Sequence, residues 1–164
     1  MIKKIAVLGA GTMGHAIAES FAMYGYLVNM YEVDAKRLVA AMKEIEEDLE
    51  LLAEEDFIKK DAIPSILANI TTCVDLKKTV EDRDYVIEAA PENLELKQNL
   101  FKQLDELCPA HTILASNTSS LPLKDMMALV SPERKKLMMV NHFYNPAHLM
   151  PIVEMSFFGN MSEE

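Results

Sequence analysis

The sequence predicts an α/β fold: a doubly wound, mostly parallel sheet with a helical insert after the second strand. Three observations predict it. Short apolar runs alternate with helical patterns along the chain, the signature of strand–helix–strand units. The first apolar run ends in a glycine-rich turn, Gly9-Ala10-Gly11-Thr12-Met13-Gly14, and a helical pattern follows it. The second run closes on an acid, Glu32, 18 residues beyond Gly14.

The elements follow in order. Residues 5–8 read as a buried strand, and residues 15–24 as a helix that Gly25 stops. Residues 27–31 form the second strand. Asp34 is placed to cap a long helix reaching Leu52. A further helical piece spans residues 58–68, with Pro64 near its middle or at a break. These two pieces make the insert. Residues 70–74 suit a short strand and residues 85–89 a clear one. Residues 94–107 form an amphipathic helix with Leu96, Leu100, Leu104 and Leu107 on one face. Strands are expected at residues 112–115, 137–140 and 152–157, and a helix at residues 123–130. Residues 159–164 are polar and read as the exit from the last strand. There is no internal repeat and no low-complexity linker.

Composition narrows the function classes. The chain has 164 residues, half of them hydrophobic. That suits one domain, burying roughly 70% of its unfolded surface. A net charge of -10 argues against nucleic acid or an anionic membrane as partner. It leaves room for a phosphate-bearing cofactor, which backbone amides can hold without basic side chains. No apolar run approaches the ~20 residues that span a bilayer. The first apolar run is too short for a signal-peptide core and lacks a cleavage site, so a cytoplasmic protein is expected. Cys73 and Cys108 form no CxxC and no metal spacing. They read as reduced and structural, and no metal is expected.

The glycine turn is a GxGxxG. Gly9 permits a tight strand-to-helix turn, Gly11 lets a pyrophosphate approach the backbone, and Gly14 lets the helix lie close to the strand. The helix N-terminus then offers unpaired N–H groups and a positive dipole. Alone the motif is weak. The preceding strand, the following helix and Glu32 at the end of the second strand make it a Rossmann-type cradle. A carboxylate at Glu32 accepts from a free ribose 2′-hydroxyl and repels a 2′-phosphate, which favours NAD over NADP. Lys36 and Arg37 lie near enough in sequence to oppose that preference.

Two polar groups follow later strands. His142 opens His-Phe-Tyr-Asn-Pro, and Glu154 comes 12 residues on, inside the next strand. Histidine suits a general base near neutral pH, and a carboxylate on its far nitrogen would fix the tautomer. Spacing alone fits equally well a half-buried histidine and an outward-facing glutamate. Ser116-Asn117-Thr118-Ser119-Ser120 sits just after a strand, where ligands bind in open α/β sheets. The cluster also suits a cap for the helix at Leu123. Both roles can hold for different members.

Four blocks together make the chain resemble the NAD-binding domain of the L-3-hydroxyacyl-CoA dehydrogenases: GAGTMGHAIA, VIEAAPENLELKQNLFKQLD, ASNTSSL and HFYNPAHLMPIVE. The resemblance covers nearly the whole chain. It implies His142 as catalytic base, Glu154 as its partner and Ser119 as the serine that binds the substrate oxygen. It implies cofactor contacts at Gly9, Gly11, Thr12, Met13, Gly14, Glu32, Ala90, Glu92, Lys97 and Asn117, with Glu92 and Lys97 near the nicotinamide. The family carries a second, helical domain that completes the substrate cleft and forms the homodimer. Residues 1–164 are expected to be the dinucleotide-binding domain alone, with self-association of an exposed apolar patch as a consequence.

The insert departs from the family, which tends to place basic residues there to face CoA. Glu44, Glu46, Glu47, Asp48, Glu50, Glu54, Glu55 and Asp56 crowd it here, with no lysine or arginine among them. The simplest expectation is a solvated acidic face. Three functions compete. The first is an oxidoreductase that moves hydride between NAD and the C3 carbon of a 3-hydroxyacyl-CoA. The second keeps the chemistry on a small free hydroxy acid, since the acidic insert would repel anionic CoA. The third is an NAD-binding module that is inactive without its second domain.

Overall fold

The computed structural model describes residues 1–156 and 161. Seven strands form one sheet in the order β3-β2-β1-β4-β5-β6-β7. The six from β1 to β6 run parallel, and β7 pairs antiparallel with β6. Strand β1 (Lys4–Leu8) lies at the centre, between β2 (Leu27–Tyr31) and β4 (Tyr85–Glu88). Its last four residues are at most 1% exposed, as expected of a strand covered on both faces. Side-chain alternation divides them. Ile5 and Val7 join the core beneath the first helices, while Ala6 and Leu8 join the core on the opposite face.

The first of those helices, α1 (Thr12–Met23), begins three residues earlier than expected. The glycine turn itself forms its entry, with Gly11 at the cap position. It ends at Tyr24, and Gly25 takes φ +81° to turn the chain into β2.

The insert is α2 (Ala35–Glu54), a short 3-10 turn at Lys60–Ala62 and α3 (Ile63–Ala68). Asp34 caps α2, accepting from the Lys36 amide at 2.9 Å. Leu38, Ala41, Ile45, Leu49 and Leu52 recur every three or four residues and are buried. Pro64 sits in the first turn of α3, where its missing N–H costs nothing. The break therefore precedes the proline, and the expected single piece resolves into two.

Beyond β3 (Ile70–Cys73) comes α4 (Leu76–Val80), which the sequence reading missed. Asp75 caps it by accepting from Lys78 N at 3.2 Å. Helix α5 (Leu94–Leu107) has the expected bounds but a different buried face. Lys97, Phe101 and Leu104 are buried, whereas Leu96 is 41% exposed. After β5 (Ile113–Ser116), the expected eight-residue helix shortens to α6 (Leu123–Met126). A second missed helix, α7 (Pro132–Lys135), buries Arg134, whose Nη1 donates to Thr112 O at 2.7 Å.

Strand β6 (Met138–Phe143) runs three residues beyond its expected end, so His142 lies within it. Strand β7 (Val153–Ser156) pairs so that His142 faces Glu154 directly. The expected extension to Phe157 and the polar exit at residues 159–164 lie outside the described residues, save residue 161.

Both cysteines are free thiols. Burial pushes the Cys108 thiol up to about 12, so it stays protonated and unreactive. Among the described residues, no helix is long and apolar enough to cross a membrane.

Candidate active site

The strand order reverses between β1 and β4, and open α/β sheets bind ligands at the carboxyl ends of the strands at such a point. The glycine turn fills this point. Gly9 has φ +104°, and a Cβ there would lie 2.7 Å from Ala89 O, at the end of β4. A Cβ on Gly14 would lie 1.9 Å from Gly9 O, so only glycine lets α1 rest on the turn. A Cβ on Gly11 would meet no protein atom within 4 Å. That side of the turn is open to an incoming group. The first turn of α1 carries no acidic residue, and its leading amides point at this space. Thr12 opens the helix and is exposed. These features fit a dinucleotide pyrophosphate.

A cavity of 640 Å³ extends from the turn, lined by Gly9, Gly11, Glu32, Ala90 and the α5 residues Leu96 and Leu100. Leu96 and Leu100, on the apolar face expected of α5, give this cavity an apolar wall. Glu32 accepts from Ala10 N at 3.2 Å and from Val33 N at 2.8 Å, which fixes its carboxylate at the rim. Arg37, the nearby cation that complicated the cofactor preference, is engaged elsewhere. Its Nε donates to Ala10 O at 2.6 Å, and Nη1 and Nη2 grip Glu44 at 2.7 and 2.6 Å. The Arg37 guanidinium holds the Glu44 carboxyl below its usual value.

A second cavity, of 330 Å³, adjoins the first across Ala89 and Ala90. Met13, Glu92, Lys97, Asn117, Ser119, His142 and Tyr144 line it. It gathers residues from the ends of β4, β5 and β6, as the sequence reading expected. His142 Nδ1 lies 3.0 Å from Glu154 Oε2. The imidazole is the main cause that holds Glu154 below the usual carboxylate range, and a hydrogen bond from Tyr144 adds to it. Glu154 belongs to the edge strand, and its side chain is 62% exposed. Asn117 accepts from Phe143 N at 2.8 Å and ties β5 to β6.

The serine cluster divides its labour. Ser119 lines the cavity, while Ser116 is buried and donates to Glu88 Oε2 at 2.6 Å. Thr118 accepts from Leu121 N at 3.0 Å and donates to Glu92. The expected cap of the Leu123 helix is thus corrected. Its N-cap is Pro122, and the hydroxyl acts on the turn before it.

Sequence reasoning missed Glu88, the anchor of this floor. It is fully buried and holds Lys97 at 2.7 and 2.9 Å. A glutamate inside the apolar run Tyr85-Val86-Ile87-Glu88 was the available signal, because a buried charge needs a partner. Glu92 lies 3.1 Å from Lys97. Burial pushes Glu92 up, but bonds from Thr118, Lys97 and Ser120 outweigh that and hold it at about 2.

The acidic insert is only partly the solvated face expected. Glu46, Glu47, Glu50, Glu54, Glu55 and Asp56 are exposed, but Glu44 grips Arg37, and Asp48 lies 3.8 Å from His15 and 3.9 Å from His148.

The fold and the glycine cradle define a dinucleotide-binding domain of Rossmann type. Residues 4–163 match the family described as 3-hydroxyacyl-CoA dehydrogenase, NAD binding domain. The chain belongs to that family. It is 40% identical over 153 residues to a Bacillus subtilis (strain 168) protein named "Probable 3-hydroxybutyryl-CoA dehydrogenase", covering 93% of this chain and 52% of the relative. A crystal structure of 3-hydroxybutyryl-CoA dehydrogenase from Escherichia coli K12 superposes with a TM-score of 0.90 at 34% identity, covering 94% of this chain and 32% of that one. A diketoreductase, described as acting on dicarbonyl compounds, superposes at 0.85 and 34% identity, covering 94% of this chain and 54% of its own. The chain therefore spans about half the length of the Bacillus relative.

Proposed function

We propose that this chain binds NAD and, with the remainder of its protein, interconverts 3-hydroxyacyl-CoA and 3-oxoacyl-CoA. The observation that carries the reading is His142, on the wall of a cavity that adjoins the glycine cradle, with its Nδ1 3.0 Å from Glu154 Oε2. When bound, NAD supplies the two-electron hydride acceptor. Gly9, Gly11 and Gly14 admit its pyrophosphate, and Glu32 receives the ribose hydroxyl. Glu154 holds Nδ1–H of His142, which leaves Nε2 to take the proton from the substrate C3 hydroxyl. Glu154 also stabilises the imidazolium that results. Ser119 binds the reacting oxygen. Glu92, Lys97 and Asn117 hold the floor and wall beside the nicotinamide.

A second reading keeps this chemistry on a small free hydroxy acid. The exposed acidic face of α2 favours it, because CoA is highly anionic. Comparing NADH-dependent reduction of acetoacetyl-CoA and of free 3-oxo acids by the protein that contains this domain separates the two. Preference for acetoacetyl-CoA supports the thioester reading, and preference for the free acid overturns it.

The remainder of the protein supplies the other wall of the cleft and the homodimer contact. A reducing compartment such as the cytoplasm suits the chain's two free thiols.

A further inference from the structure

We propose that Glu19, Asp48 and His148 form a binding site for one divalent first-row transition cation of the zinc class. Glu19 lies in α1 at 0% exposure, and among the described residues neither of its carboxylate oxygens has a hydrogen-bond partner. His148 follows β6, and its buried Nδ1 also has no hydrogen-bond partner among the described residues. Asp48 reaches the same point from α2. A carboxylate stripped of water and given no N–H donor is costly to keep charged, and a cation supplies what the protein does not.

The geometry suits an ion. His148 Nδ1 lies 3.3 Å from Glu19 Oε2 and 3.9 Å from Asp48 Oδ2. The three donor atoms all fall within 4.8 Å of one another. Tetrahedral zinc takes its ligands at ~2.0–2.1 Å, which sets neighbouring ligands about 3.3 Å apart. One pair already has that spacing. Asp48, with 31% of its side chain exposed, has the freedom to close the other two and opens the route of entry. One imidazole with two carboxylates favours zinc, cobalt or manganese over calcium or magnesium. Two carboxylates also balance a dication. His15 Nε2, 3.8 Å from Asp48, stands beside the site, and water can complete the coordination.

The site is separate from the cavity that holds His142. Its ligands come from α1, α2 and the loop after β6, so a bound ion pins that loop to the helices behind the glycine turn. Without an ion, the same residues can be held by a neutral Glu19 donating its proton to His148 Nδ1. The experiment separates these two arrangements.

Protein stripped with a chelator is titrated with zinc by calorimetry and with cobalt by visible absorption. The expected result is one ion per chain, with a dissociation constant of about a micromolar or tighter, and cobalt ligand-field bands. His148→Ala and Asp48→Asn should each weaken binding by at least about 100-fold, more than loss of an outer-sphere partner costs. Asp48 is partly exposed, so its variant keeps the fold even where a substitution at buried Glu19 does not. His111→Ala, at a surface pair with Asp84, should bind as the parent does. Absence of stoichiometric uptake overturns the proposal in favour of the neutral-acid pair. Uptake that survives both Asp48→Asn and His148→Ala, or that depends on His142 instead, also overturns it.

Discussion

The Lys97 ammonium lies 2.7 and 2.9 Å from the two carboxylate oxygens of Glu88, and both side chains are buried from water. Glu88 also accepts from Ala90 N at 2.6 Å and from Ser116 Oγ at 2.6 Å. Lys97 therefore joins the start of α5 to the ends of β4 and β5. It forms the floor of the cleft and does not project as a free cation.

Removing one partner of such a pair leaves the other charged and unsolvated. Lys97→Met should destabilise the protein by about 3–5 kcal/mol, read by urea denaturation. Adding Glu88→Gln should restore much of that loss, since no buried charge is then left unpaired. A single-variant loss below about 1 kcal/mol would contradict the pairing.

Glu92 gives an acid-limb prediction. Its folded value of about 2 lies below the ordinary 4.5, because its bonds to Thr118, Lys97 and Ser120 outweigh the opposing effect of burial. A depressed carboxylate contributes stability that is fully present above 4.5 and is lost as pH falls through 2. The stability gap between the parent and Glu92→Gln should thus be constant above about pH 5 and shrink on further acidification. Carboxyl carbon NMR should place the Glu92 midpoint well below that of the exposed glutamates. A gap that does not change with pH would remove the role given to these bonds.

Cofactor choice follows from Glu32 and from what Arg37 does. With its guanidinium bound to Glu44, Arg37 is not free to meet a 2′-phosphate. NADPH should bind at least roughly tenfold more weakly than NADH, about 1.4 kcal/mol. Glu32→Ala should narrow that gap in a fluorescence titration. Equal affinities in the parent chain would show that Glu32 does not discriminate.

The sheet and the cradle were legible in the sequence because apolar alternation, Gly9, Gly14 and Asp34 each act locally. The floor of the cleft was less so. The four leucines mark one apolar face of α5, but the buried face is Lys97, Phe101 and Leu104, because Glu88 lies opposite Lys97. That pairing is long-range and leaves no periodic trace. Helices α4 and α7 are a single turn each, too short for periodicity, and only their caps, Asp75 and Ser131, mark them. The Arg37–Glu44 bond was hidden for a different reason. It spans two turns of one helix, and sequence distance alone suggested a cation free to reach the cofactor.

The resemblance implies the pairing of His142 with Glu154, but spacing alone leaves open what brings the two together. Direct antiparallel register brings it about. That register depends on the chain reversing between the two strands, which no local signal specifies.

The role proposed for His142 is to move the proton of the reacting hydroxyl. The most direct measurement is the maximal rate of NADH-dependent acetoacetyl-CoA reduction by the protein that contains this domain, with and without His142→Ala. NADH affinity is measured in parallel. The expected result is a loss of at least ~100-fold in rate, the usual scale of general acid–base help, with NADH binding unchanged. A variant that keeps its rate would show that His142 and Glu154 are a structural pair.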